Sequence, residues 1–117
     1  RRVIAFKDLI AQEDLSRIKQ ETNAIEAQFI QDGKRQINID PGYLLSSRFI
    51  LATGKDYSHR IYIGRRIYAD LTLMYSKTGF KSLEWTYPDY ASKPMTDFLE
   101  KVRQKYLLDL KAKENNK

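Results

Sequence analysis

The stretch from His59 to Tyr75, HRIYIGRRIYADLTLMY, constrains the fold more than any other. Two alternating runs flank Gly64, which is the pattern of two paired, half-buried strands. Chemistry fixes their register. With a three-residue loop, Gly64-Arg65-Arg66, Ile63 faces Ile67 and Ile61 faces Ala69. Tyr62 then meets Tyr68, and Arg60 meets Asp70. One face is aliphatic; the other carries an aromatic pair and an ion pair. A two-residue loop would set Ile61 and Ile63 on the face of Arg66, Tyr68 and Asp70. A slip of one residue moves every side chain to the opposite face, so the three-residue loop is favoured. Its left-handed position suits glycine, and Arg66 is an imperfect occupant.

The rest of the chain is read around this hairpin. RRVIAFKDLI, residues 1–10, is extended or a short turn. Leu15, Ile18, Thr22, Ile25 and Phe29 recur at helical spacing and predict a helix from Gln12 to Asp32, capped by Gly33. RQINID alternates and predicts a short strand; Asp40-Pro41-Gly42 then turns the chain. YLLSSRFILATGK has the length of a three-turn helix with Leu45, Phe49 and Ala52 inward. SKTGF predicts a turn at Thr78-Gly79, and FKSLEW a third strand with Trp85 in the core. Pro88 takes TYPDY out of the ladder. Ser92 and Pro94 open a last helix, with Met95, Phe98, Leu99, Val102, Tyr106 and Leu110 as its stripe and KAKENNK fraying. The expected fold is α+β. A small antiparallel sheet is built on the central hairpin and packed by an N-terminal and a C-terminal helix. Residues 1–117 read as a single such domain.

Composition removes several functional classes. The hydrophobic fraction is 42%, so the chain can build a core. There is no cysteine and only one histidine, which excludes disulfides, thiolate metal sites and His-rich metal sites. No metal and no cofactor is expected. No apolar run approaches the roughly 18 residues of a membrane span. Residues 1–10 lack the apolar core of a secretory signal, and the expected compartment is the cytoplasm. The P-loop, dinucleotide-binding and nucleophile-elbow signatures are missing. Net charge is +6, concentrated in residues 34–66, where seven basic and two acidic groups give +5. Such a block attracts phosphate, and equally well is a solvated face.

The polar residues that remain cluster around the hairpin. His59 is a candidate general acid or base, with Asp70 or Asp89 as its partner carboxylate. A histidine bonded at a strand entry is the plainer reading. Arg60 with Asp70 is either a substrate clamp or a cross-strand ion pair. Lys55, Arg60, Arg65 and Arg66 have the chemistry to hold phosphate. Tyr57, Tyr62 and Tyr68 beside them offer faces for stacking, or for packing. In EWTYPDY, the reading assigns Trp85 to the core and leaves Tyr87, Asp89 and Tyr90 to face a site.

NIDPGYLLSSRFILATGKDYSHRIYIGRRIYADLTLMY followed by EWTYPDY resembles the bacterial and archaeal family known as Domain of Unknown Function 4416. The matching motifs are the Asp-Pro-Gly-Tyr turn at 40–43 and the Ala-Thr-x-Lys-Asp-Tyr-x-His-Arg-Ile-Tyr run at 52–62. Tyr-Ala-acid-x-Thr-Leu at 68–73, Trp-Thr-Tyr-Pro-Asp-Tyr at 85–90 and the helical IKQETNAIE complete the set. Three positions depart from the pattern: Asp70 replaces a usual Glu, Gly54 a hydroxyl residue and Arg66 a second Gly. The resemblance implies that the chain holds the C-terminal two thirds of the family domain, without an N-terminal strand-helix-strand part. It implies no reaction.

Three functional expectations follow. One is a binding module for a phosphate-bearing partner, nucleotide or RNA, through Lys55, Arg60, Tyr62, Tyr68, Tyr87 and Tyr90. Another is a structural or assembly protein whose aromatic surface meets a second copy, or the N-terminal segment that would cover the sheet. The third is a hydrolase or transferase using His59 with an acid.

Overall fold

The computed structural model describes residues 2–115. A 3-10 turn at Gln12–Asp14 leads into α1, Leu15–Gln28. Five strands follow: β1 Gly42–Leu44, β2 Arg48–Thr53, β3 Arg60–Tyr62, β4 Tyr68–Ser76 and β5 Gly79–Ser82. Helix α2, Lys93–Asn115, ends the described chain. The sheet runs β1-β2-β4-β3, and β5 also pairs with β4. This is the expected α+β class, with two helices and a small antiparallel sheet. The chain forms two compact units, one of residues 11–43 and 50–71, the other of residues 2–10, 44–49 and 72–115.

The first unit holds the central hairpin, and its register is the one the side-chain chemistry demanded. Arg60 pairs with Asp70, Ile61 with Ala69 and Tyr62 with Tyr68. Ile63 donates its N–H to Ile67 O at 2.9 Å, closing the loop. Gly64, Arg65 and Arg66 all have positive φ, of 92°, 55° and 63°. The loop thus places two arginines in a conformation that L-residues avoid. On the aliphatic face, Ile67 is buried with Leu15, Ile50 and Ala52, and Ile63, Ala69, Leu71 and Tyr43 pack against them. Ile61 shares this face through its pairing with Ala69 but is 73% exposed and is not part of the buried core.

Helix α1 is shorter than its periodicity predicts and turned differently. It stops at Gln28, and Gln31 and Lys34 exchange backbone hydrogen bonds across Asp32-Gly33, both with positive φ. That is the Asp-Gly signature of a two-residue hairpin turn, so Gly33 serves this turn and not a helix cap. The apolar stripe Ile25 and Phe29 is exposed, whereas Leu15, Ser16, Lys19 and Glu26 are buried. Burying Lys19 and Glu26 is tolerable because both are bonded. Lys19 Nζ donates to Ile39 O at 3.1 Å, and Ile39 N–H donates to Glu26 Oε2 at 2.5 Å. The two side chains occupy the backbone groups of Ile39. This explains why RQINID, predicted as a strand, pairs with no ladder.

The second correction concerns YLLSSRFILATGK, which forms β1 and β2 in place of a helix. Leu45 N–H donates to Arg48 O at 2.9 Å, and Ala52 N–H to Pro41 O at 2.9 Å. Gly42 begins β1 because a Cβ there would sit 2.2 Å from Ile50 O. Its role is close approach, and no positive φ is involved.

In the second unit, Lys77 and Thr78 form the β4–β5 turn, one residue earlier than predicted, with Ser76 paired to Gly79. Strand β5 ends at Ser82 because Leu83 enters a turn. Thr86 N–H donates to Leu83 O at 3.0 Å, and Leu83 N–H donates back to Thr86 Oγ1 at 2.9 Å. Thr86 Oγ1 in turn donates to Thr72 O at 2.6 Å. Trp85 is 39% exposed, so the expected core tryptophan is a surface residue. The buried aromatic of the segment is Tyr90, at 5% exposure, 6.1 Å from the Phe49 ring. Helix α2 opens beside Ser92 as predicted, buries Leu99 from its stripe, and continues to Asn115; residues 116 and 117 of the segment expected to fray lie outside the described residues. Arg103 stacks 3.6 Å over the Tyr75 ring and donates from Nε to Ser46 O at 2.8 Å. Tyr75 Oη donates to Glu100 at 3.0 Å. That bond holds the phenol proton and raises the Tyr75 pKa above its ordinary value, with Arg103 opposing.

Candidate functional site

The polar face of the β3–β4 hairpin gathers most of the candidate residues. Side chains two apart on a strand share a face, and directly paired residues face each other. Arg60 and Tyr62 on β3 therefore stand with Asp70 and Tyr68 on β4. Arg60 Nε donates to Asp70 Oδ2 at 2.8 Å, and His59 Nε2 lies 3.2 Å from the same oxygen. All three side chains are largely withdrawn from solvent. Arg60 also donates from Nη1 to Lys55 O at 3.1 Å, which folds the 55–59 loop back onto the strand. Its guanidinium lies 4.6 Å from the Tyr57 ring centroid. Tyr57 stacks nearly parallel to His59, with ring centres 6.2 Å apart.

The other end of this face is aromatic and cationic. The rings of Tyr62 and Tyr68 are 5.3 Å apart and tilted. Tyr68 is half-buried, whereas Tyr62 is 58% exposed. Arg66 N–H donates to Tyr62 Oη at 3.3 Å, so the Arg66 backbone is tied to the exposed ring. Arg65 is engaged with α1: it donates from Nη1 to Ser16 Oγ at 3.0 Å, and its carbonyl accepts from Gln20. Lys55 and Arg66 are exposed, and neither forms an ion pair among the described residues. Asp56 is an exposed carboxylate next to Lys55 and offsets part of its charge.

These contacts sort the candidates. His59, Arg60 and Asp70 come together, as do Tyr62 and Tyr68. Arg60 is committed to Asp70 in a cross-strand ion pair, so the exposed cations of the set are Lys55, Arg66 and Arg65, the last held to Ser16. Tyr87, Asp89 and Tyr90 belong to the other unit. Tyr87 and Asp89 are exposed there, and Asp89 lines an open depression with Val3, Ser92, Pro94, Met95 and Phe98. Tyr90 is a core residue and presents no face to a ligand. The sequence reading missed the Tyr57–His59 stack and the double hold of Lys19 and Glu26 on Ile39. The heptad distance between Lys19 and Glu26 was the only available signal for the latter. Among the described residues, no group of three or more metal-ligating side chains comes together. No helix among them is long and apolar enough to cross a membrane.

A two-helix α+β fold, centred on a hairpin with one aliphatic and one polar aromatic face, defines the class of this protein. No curated protein and no solved structure matches the chain. A family model does: the chain belongs to the family described as Domain of unknown function (DUF4416), matched over residues 1–106. The match spans nearly the whole chain, a slightly different extent from the two-thirds portion that the motifs implied.

Proposed function

We propose that this protein is a binding module for a phosphate-bearing partner with an exposed base, a nucleotide or single-stranded RNA. The site is the polar face of the β3–β4 hairpin. The observation that carries this reading is Tyr62, more than half exposed and hydrogen-bonded to the backbone of Arg66, an exposed cation with no ion pair among the described residues. A solvent-facing ring offers a stacking surface to any base, and an adjacent cation attracts its phosphate. Lys55 is a second exposed cation, in the loop whose Tyr57 ring is engaged by Arg60 and His59. The net +5 of residues 34–66 adds a long-range field of the same sign.

The enzyme reading draws support from the 3.2 Å approach of His59 to Asp70. It is the weaker reading, because Asp70 Oδ2 is already shared with Arg60 and the depressions at Asp89 and at Tyr43–Ile63 include none of the three. The deciding experiment is a titration of labelled oligouridylate and of uridine monophosphate against the protein at low salt. Binding that weakens in Arg66→Glu and Lys55→Glu variants supports the module. Absence of binding to either probe removes it.

A further inference from the structure

We propose that the second unit docks on an anionic lipid bilayer, through a strip formed by residues 2–10 and the outer face of α2. This surface is separate from the hairpin and does not rest on the binding reading above. Two contacts lay residues 2–10 beside α2. Lys105 Nζ donates to Lys7 O at 3.0 Å, and Val3 lines one depression with Met95 and Phe98. The segment therefore follows α2 from Phe98 to Lys105, about 10 Å of helix. Its large apolar side chains do not use this contact to bury themselves. Phe6 is 85% exposed and Ile4 77%, the two most exposed large hydrophobic residues among those described. Leu108, at 68%, stands one turn beyond Lys105 on the same face of the helix.

The same strip is basic. From Lys101 to Asn115, α2 carries five basic and two acidic side chains. Arg103 is turned inward onto Tyr75, and Lys105 is shared between Lys7 O and Asp109. Lys101, Lys105, Leu108 and Lys111 follow at spacings of four, three and three, so one face presents the leucine between lysines. Lys101 and Lys111 are exposed and form no ion pair among the described residues. Arg2 and Lys7 add two cations, and Asp8 one carboxylate. Lysines on a helix face beside exposed apolar side chains are what an anionic leaflet recognises. The lysines meet headgroup phosphates while Phe6, Ile4 and Leu108 enter the acyl boundary. A second copy would set lysine against lysine. A nucleic-acid strand would neutralise the lysines and leave Ile4 and Leu108 in water. A bilayer satisfies both.

The test is sedimentation of the full chain with vesicles, either phosphatidylcholine alone or phosphatidylcholine mixed with phosphatidylglycerol, at low and at raised salt. The expected result is binding to the anionic vesicles only, weakened by salt. Joint Lys101→Glu and Lys111→Glu substitution should weaken it by at least tenfold, at roughly fivefold per lost charge. Phe6→Ser should weaken it by roughly tenfold. Ile61→Ser, which removes a comparably exposed side chain from the other unit, should leave it unchanged. In Phe6→Trp the added emission should shift to the blue on anionic vesicles, as the ring leaves water. Each variant is first checked for the wild-type thermal transition. No binding, equal binding to both vesicles, indifference to Phe6→Ser, or an equal loss in Ile61→Ser overturns the proposal. Displacement from the vesicles by octauridylate assigns the strip to nucleic acid and overturns it as well.

Discussion

Arg60 Nε and Asp70 Oδ2 lie 2.8 Å apart across the β3–β4 hairpin, in a pair whose side chains are only 10% and 15% exposed. An ion pair this sheltered acts differently from one on the surface. Removing one partner strands the other charge in a poorly solvated place. Asp70→Asn should therefore destabilise the protein by about 1.5–3 kcal/mol, seen as a lower urea midpoint at unchanged slope. Lys93→Ala, which removes the exposed pair with Asp97, should change stability by less than about 0.5 kcal/mol. Equal effects of the two would show that shelter at the hairpin adds nothing.

Arg66 has a φ of 63°, in the left-handed region that favours glycine. Arg66→Gly should relieve left-handed strain and stabilise the fold by about 0.5–1 kcal/mol. It should at the same time weaken binding of oligouridylate, because the phosphate anchor is lost. Stability that rises while binding falls marks a residue retained for its side chain. A thermal melt and a titration on the same sample check both halves.

Gly42 and Gly54 make a matched pair. A Cβ on Gly42 would lie 2.2 Å from Ile50 O, whereas one on Gly54 meets nothing within 4 Å. Gly42→Ala should cost about 1–3 kcal/mol as β1 and β2 are forced apart. Gly54→Ala should be close to neutral. Urea denaturation of the two variants reads this directly.

Tyr75 should ionise above the ordinary tyrosine range, chiefly because its phenol donates to Glu100. A folded-state pKa above the unfolded one means that the folded state holds the proton more tightly. The stability this contributes is fully present below the ordinary tyrosine pKa of about 10 and is lost as pH rises through the folded value. In Glu100→Ala the ultraviolet titration of Tyr75 should move down, since the accepting carboxylate is gone and Arg103 remains. An unchanged titration would mean that the hydrogen bond does not hold the proton in solution.

The hairpin was legible in the sequence because its two faces differ in chemistry, so only one register keeps aliphatic residues together. Helix α2 was legible because its apolar stripe, buried at Leu99 and half-buried elsewhere, is the face turned away from solvent. Helix α1 was legible as a helix, but its buried face was misread for the opposite reason. Its apolar residues Ile25 and Phe29 are exposed, while Lys19 and Glu26 are buried through contacts with Ile39, a partner many residues away. Periodicity cannot report a buried polar side chain whose bond lies outside its own window. YLLSSRFILATGK was misread because strand pairing and not residue type decides its state. Within the site, the Arg60–Asp70 pair followed from register, but the return of Arg60 onto Lys55 and Tyr57 depends on loop geometry. Trp85 and Tyr90 exchanged their expected burial because the turn at Leu83–Thr86 swings the tryptophan outward.

The central claim is the proposal that the polar aromatic face binds a phosphate-bearing partner, a nucleotide or single-stranded RNA, through phosphate contacts and stacking. Its most direct measurement is the affinity of the wild-type protein for an octauridylate as salt is raised. Two phosphate contacts, at Lys55 and Arg66, predict that log K falls linearly with log salt with a slope of about −1.4, reduced to about −0.7 in Arg66→Gly. No binding at low salt, or an affinity indifferent to salt, would contradict the account.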